Sequence, residues 1–249
     1  MKLRERDTSP INRVLIIMPT YNERDNIERI VPEVLKQDPR IDMLIIDDNS
    51  PDGTGEIADS IAEKNPRVKV IHREGKLGLG TAYVRGFKYS LEHDYDLTFE
   101  MDADFSHPVD KIPEMIRTAE EGYDLVIGSR WVEGGGIENW PKTRLLISKW
   151  ASIYTRAITE MPIKDTTAGF QAFRKRVLKA LDLDSIHSDG YSFQIETKFK
   201  VWQKGFHIKE IPIIFKDREH GTSKFSKRII IEAFFMVWWL RFELLFGKI

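Results

Sequence analysis

The sequence predicts an α/β fold built on a mostly parallel sheet, and three observations carry that prediction. Short, continuous apolar runs recur through the first half of the chain. Helix-patterned stretches separate them, and polar residues cluster directly after the runs. Uninterrupted apolar strands alternating with helices suit a sheet covered on both faces. The carboxyl edge of such a sheet, where the polar clusters fall, is where ligands bind.

Each element follows from its own pattern. Residues 14–18 (VLIIM) are too short for a helix and stop at Pro19. Similar runs at 43–46, 68–71, 97–101 and 125–127 complete five strands. Stretches at 26–37, 55–65, 78–93 and 109–122 read as the helices between them. In the second half, three glycines at 134–136 break the chain, and 131–142 reads as a flexible loop. Residues 143–160 read as a helix with Leu146, Trp150, Ile153, Tyr154 and Ile158 on it. Residues 168–173 and 207–215 read as strands, with a helix over 191–204 between them.

A chain of 249 residues with 41% apolar and 31% charged content is globular rather than disordered. It is long enough for one α/β domain, expected over 12–225, with a separate segment at 226–249. The absence of cysteine excludes disulfide scaffolds, thiol catalysis and thiolate-bound metals. A net charge of −1 argues against a uniformly basic nucleic-acid binder, so no nucleic-acid partner is expected. Residues 1–11 are polar and do not read as a secretory signal. The segment 229–246 (IIIEAFFMVWWLRFELLF) approaches the roughly 20 apolar residues of a membrane span. Glu232, Arg241 and Glu243 interrupt it, and charge at bilayer depth is costly. Preceded by Lys224, Lys227 and Arg228, it reads as an amphipathic helix lying in the membrane interface, with Trp238 and Trp239 at headgroup level. A core or subunit-contact helix is the other reading.

Five clusters carry chemistry. Asp102-Ala103-Asp104 follows a strand, and two carboxylates at that spacing can share a hard divalent cation with a diphosphate. In Pro19-Thr20-Tyr21-Asn22-Glu23 the tyrosine offers a stacking face and Glu23 an acceptor, although a plain strand–turn–helix junction has the same residues. In the segment from Asp47 to Thr54, Asp47 is the candidate ligand for a base or ribose, whereas Asp52 suits a turn leading into a helix. The loop Gly75-Lys76-Leu77-Gly78-Leu79-Gly80 has neither Walker nor GxGxxG spacing, so it reads as backbone passing near a ligand. Arg130, Arg144, Arg218 and Lys224 are candidate phosphate ligands, although a single such residue is more often a solvated surface charge. The six histidines have no metal-ligand spacing.

Taken together, PTYNE, DDNSPDGT, GLGTAY, DADFSHP, GSR, GYSFQIE and DREHGTSKF in this order resemble the dolichyl-phosphate (polyprenyl-phosphate) mannose synthases. These are inverting family 2 glycosyltransferases with the GT-A fold, and the resemblance spans residues 14–225. It implies GDP-mannose as donor, Mg²⁺ or Mn²⁺ as cofactor and a polyprenyl or dolichyl phosphate as acceptor. It implies that Pro19, Tyr21, Glu23, Ile45 and Asp47 line the nucleotide site. Asp102, Ala103 and Asp104 would hold metal and diphosphate, with Ser106, a glutamine in some relatives, nearby. Arg130 and Arg144 would grip the acceptor phosphate, and Arg218 and Lys224 would close over the donor; Arg130 belongs to both the donor and the catalytic set. Several relatives continue into transmembrane helices; this chain resembles the short members, which rely on small membrane subunits. The implied location is the cytoplasmic face of a membrane, peripherally bound.

The chemistry is coherent with this. A phosphate monoester has a second pKa of about 6, so near neutrality it is already a nucleophile and needs no strong base. Arginines position it, while the metal and Lys224 stabilise the departing GDP, and single displacement turns an α-linked donor into a β-linked product. A UDP-dependent glucosyl- or GlcNAc-transferase shares the DxD and PTYNE signals. A non-catalytic nucleotide-sugar-binding subunit is the third reading, opposed by the intact Asp pair.

Overall fold

The computed structural model describes residues 2–186, 188–217 and 227–246, with backbone alone at 227–233 and 245. The five expected strands form as β1 (Val14–Thr20), β2 (Ile41–Asp47), β3 (Val68–His72), β4 (Leu97–Glu100) and β5 (Leu125–Ser129). Between them lie α1 (Arg24–Leu35), α2 (Thr54–Lys64), α3 (Leu79–Glu92) and α4 (Ile112–Glu120). The remainder is β6 (Gly136–Glu138), α5 (Lys142–Thr159), β7 (Gln171–Arg174), α6 (Lys175–Ala180), α7 (Gly190–Gln203), β8 (Ile208–Pro212), β9 (Ile214–Lys216) and α8 (Lys227–Leu245).

Seven strands make one sheet in the order β3-β2-β1-β4-β7-β5-β8. All its pairings are parallel except those of β7, which runs antiparallel between β4 and β5. The apolar runs feed two cores, one on each face. Alternate side chains of β1 go opposite ways: Val14, Ile16 and Met18 meet α1 and α4, while Leu15 and Ile17 meet α3 and α7.

Two expectations need correction. The stretch 131–142 is not all loop: β6 lies within it and pairs in parallel with β9. The single strand expected at 207–215 is two, because the chain leaves the main sheet after Pro212 and enters the small one at Ile214. The C-terminal helix forms, and Val237 and Leu240 on it are buried in the same core as α7. Its Phe234, Phe235, Trp238, Trp239, Phe242 and Phe246 are exposed. Among the described residues no helix is long and apolar enough to cross a membrane.

Candidate active site

The strand ends build the site. After β1, β2 and β4 the backbone turns sharply through positive φ at Asn22 (60°), Asn49 (55°) and Phe105 (60°). Asparagine tolerates that region; at Phe105, which follows the Asp pair, it marks a genuine local strain. Behind these turns lies a cavity of about 450 Å³. Its walls bring together residues from nearly every motif: Pro19, Tyr21 and Glu23 after β1, Asp102, Ala103 and Asp104 after β4, Arg130 after β5, and Arg144 on α5.

Asp102 and Asp104 are fixed by their neighbours. The backbone N–H of Asp102 donates to Nδ1 of His107 (3.0 Å), and that of Ser106 to Asp104 Oδ1 (3.1 Å). The buried Tyr83 hydroxyl stands 3.5 Å from Asp102 Oδ1. Burial, then the charges of Asp102 and Glu100, hold that phenol well above its ordinary pKa, so it remains a donor. Ser106 is buried, its hydroxyl has no partner among the described residues, and it is not part of the cavity wall.

Ile45 and Asp47 lie beneath the cavity rather than on its wall. Ile45 is core, and the Asp47 carboxylate accepts from Thr20 Oγ1 (3.0 Å), Ser50 N (3.0 Å) and Ser50 Oγ (2.6 Å). The wall residue is Asp48, gripped at both oxygens by Arg73, which also donates to Gly78 O (2.9 Å) and Thr81 Oγ1 (2.7 Å). Arg73 thereby ties the glycine loop to the end of β2, and the loop brings the Lys76 ammonium to 4.7 Å from the centre of the Tyr21 ring. As its turn chemistry predicts, Asp52 holds the turn that leads into α2: Oδ1 accepts from Thr54 N (3.0 Å).

The basic residues occupy the opposite end. Arg130 is buried against Asp165, donating from Nε (2.7 Å) and Nη2 (2.6 Å), and its Nη2 also reaches Thr167 Oγ1 (2.8 Å). Burial alone would raise the Asp165 pKa; the Arg130 guanidinium outweighs it and holds the carboxyl below its usual range. Arg144 donates from Nη1 to Asp217 (3.0 Å) and lies 3.8 Å over the Trp140 ring. Nε of Arg144 and Nε1 of Trp140 are both buried and have no hydrogen-bond partner among the described residues. Arg130 and Arg144 both line the cavity, and two guanidinium groups on one wall suit an anion. Arg218 and Lys224 lie outside the described residues.

Sequence reasoning missed Asp48, His107, Trp140, Asp165, Thr167, Asp189, Gln194 and Phe215. The Asp47-Asp48 doublet and the His-Pro pair after the Asp-Ala-Asp triplet were local signals; the others reach the site through the tertiary fold.

An open sheet with a paired-carboxylate turn on its carboxyl edge and a basic cavity wall beyond it is the architecture of a GT-A glycosyltransferase. The chain belongs to glycosyl transferase family 2, whose family model matches residues 15–182. It is 45% identical over 235 residues to polyprenol monophosphomannose synthase of Mycolicibacterium smegmatis, covering 93% of this chain and 89% of that one. It is 46% identical over 224 residues to undecaprenyl-phosphate mannosyltransferase of Micrococcus luteus (89% and 90% covered). To dolichol-phosphate mannosyltransferase of Pyrococcus furiosus it is 39% identical over 224 residues, 88% of this chain and 61% of that protein. Among solved structures, glucosyl-3-phosphoglycerate synthase of Mycobacterium tuberculosis, in complex with Mn²⁺, UDP-glucose and phosphoglyceric acid, matches with a TM-score of 0.68 at 16% identity. That match covers 92% of this chain and 80% of the other, and it is a likeness of fold.

Proposed function

We propose that this protein transfers mannose from GDP-mannose to a polyprenyl phosphate, with inversion, at a membrane surface. The observation that carries the reading is the placing of Asp102, Asp104, Arg130 and Arg144 on one cavity, the carboxylates at one end and the guanidinium groups at the other. The names of the relatives supply the sugar and the lipid class.

Tyr21, Glu23, Asp48 and Lys76 form the nucleoside end. Asp102 and Asp104 offer hard oxygen donors, which fit Mg²⁺ or Mn²⁺. Among the described residues no third acidic or histidine side chain joins them. The cation supplies positive charge against the diphosphate leaving group. At the other end the Arg144 guanidinium, which lines the cavity, meets the acceptor phosphate. Arg130 contributes Nη1, the one guanidinium nitrogen not engaged with Asp165 or Thr167. Holding a dianionic nucleophile in line with the anomeric carbon is catalysis by positioning. Arg218 and Lys224 remain candidates for closing over the donor. The exposed aromatic face of α8, with the exposed Leu146, Ile147, Trp150 and Ile153 of α5, forms the membrane-facing surface at the cytoplasmic side.

The test is a donor screen with a polyprenyl phosphate in mixed micelles. Labelled GDP-mannose, UDP-glucose and UDP-GlcNAc are compared by lipid-extractable label, with and without chelator. Label from GDP-mannose alone, lost in EDTA, restored by Mg²⁺ or Mn²⁺ and β-linked, is the expected result. Label from a UDP-sugar instead moves the protein to the glucosyl- or GlcNAc-transferases; label from none makes it a binding subunit.

A further inference from the structure

Gln194 sits on α7 within the segment GYSFQIE and has no role in the reading above. It is 3% exposed and lines the cavity. Its Nε2 donates to Glu100 Oε2 (2.8 Å). Its Oε1 accepts from Gln171 Nε2 and, at 3.4 Å, from Lys198 Nζ. Gln171 Nε2 also donates to Glu100 Oε2 (2.9 Å). Glu100, Gln171 and Lys198 are fully buried.

This surround dictates which way the Gln194 amide points. Lys198 Nζ, which also donates to Ala168 O (2.6 Å), and Gln171 Nε2 are both donors, so the Gln194 amide turns its oxygen to them and its NH₂ to Glu100 Oε2. A flipped amide would set its NH₂ against those two donors. With one Nε2 hydrogen given to Glu100, the other is a donor of fixed orientation. Gly169 lies directly beside that amide: a Cβ added there would stand 3.9 Å from Gln194 Nε2 and 3.7 Å from His107 Cε1, ordinary contact distances. Gly169, His107 and Gln194 all line the cavity.

The sheet order says what belongs there. The nucleoside-end residues follow β1 and β2, the Asp pair follows β4, and Arg130 follows β5, with β7 between β4 and β5. Glu100 ends β4 and Gln171 opens β7, so Gln194 is held at the middle of that series. In a transfer from diphosphate to acceptor phosphate, the group between the two is the sugar. We propose that Gln194 is a sugar-binding residue that reads one hydroxyl of the donor's hexose, and that Glu100 is a positioning residue that sets its amide.

The inference rests on the mannosyl-transfer reading, and wild-type binding of GDP-mannose is its control: no binding overturns that reading. Calorimetry and kinetics on Gln194→Leu compare GDP, GDP-mannose and the single-deoxy analogues of GDP-mannose. Affinity for GDP stays unchanged, while kcat/KM for GDP-mannose falls about tenfold, the size of one hydrogen bond to a buried donor. Wild type loses a similar factor with one deoxy analogue, and the variant loses nothing further at that same position. Glu100→Gln weakens this position-specific coupling, which a merely structural change would leave intact. If Gln194→Leu does not fold, Gly169→Ala serves: its methyl fits without strain but takes room from the sugar, so affinity for GDP-mannose falls and for GDP does not. Equal losses for GDP and GDP-mannose, or deoxy penalties undiminished in the variant, overturn the role of Gln194. Full coupling retained in Glu100→Gln overturns that of Glu100.

Discussion

Arg130 and Arg144 look alike in the sequence and are opposites in the structure. Arg130 is locked into a buried bidentate pair, whereas Arg144 has one exposed-side partner and a buried nitrogen with none. Removing one member of a buried pair strands the other charge. Asp165→Asn therefore costs about 3–5 kcal/mol of stability near neutral pH, read by urea denaturation. The Asp165 pKa is held below its ordinary 3.8, so its contribution is fully present above that value and disappears as pH falls through the folded-state value. The gap between variant and wild type thus stays constant from neutrality down to about pH 5 and narrows below about 3.8. Arg144→Ala behaves differently. Its ion pair with Asp217 is part-exposed and worth at most about 1 kcal/mol, so stability hardly moves. Losing a charge-assisted contact raises KM for the lipid phosphate about 10- to 100-fold. An equal loss in donor affinity by calorimetry would place Arg144 at the donor instead.

At the scale of elements, α3 crosses β1 where Gly86 leaves no room for a side chain. A Cβ there would stand 2.5 Å from Ile17 Cδ1 and 2.7 Å from Cγ2. Alanine gains about 1 kcal/mol in helix propensity, but overpacking costs about 1–3 kcal/mol. Gly86→Ala is accordingly destabilising in equilibrium denaturation, and adding Ile17→Ala costs less than the sum of the two single changes. The apolar runs announced β1, β2, β4 and β5 because both faces of each strand are buried, and burial writes itself into the local sequence; the edge strand β3 is only partly buried. Neighbours and direction do not. Nothing within Gln171–Arg174 says that it enters between β4 and β5 and runs antiparallel to both. Strand β6 has three residues and follows two glycines, too little for a periodic signal; it forms because β9 presents a free edge. That small sheet matters, since Phe215 within β9 lines the cavity, as do Trp140 and Asp217 just beyond the ends of β6 and β9.

On the scale of the whole molecule, the site was legible where it is built from strand ends, because each motif sits beside the apolar run that places it. Gln194 and Trp140 were not, since helices and the small sheet deliver them from distant sequence. The same assembly links the cavity to an exposed apolar surface. Arg144 lies on the first turn of α5, and further along that helix Leu146, Trp150 and Ile153 are exposed. Trp150 stacks on Tyr154 and Tyr154 on Phe234 of α8, so the two helices share one aromatic strip. Helix α5 carries Lys142, Arg144, Lys149 and Arg156 and no acidic residue, which suits an anionic surface. An acceptor whose phosphate lies at the bilayer surface and whose chain stays in hydrocarbon would thus meet Arg144 at one end of α5 and apolar side chains along it. Deleting α8 would be a poor test, because Val237 and Leu240 fill the core. Substituting exposed residues is a clean one. Trp150→Ser, Trp238→Ser and Trp239→Ser together remove apolar area from the outer face and leave the core intact. The unfolding midpoint should shift little, since surface changes usually stay within about 0.5 kcal/mol each. Partitioning onto phosphatidylcholine–phosphatidylglycerol vesicles should fall about tenfold or more, and high salt should weaken what remains. Transfer to long polyprenyl phosphates in those vesicles falls with it, whereas transfer to a short, soluble analogue is unchanged, because only the former depends on confinement to the surface. A folded triple variant that sediments with vesicles as wild type does would show that the contact with the bilayer lies elsewhere.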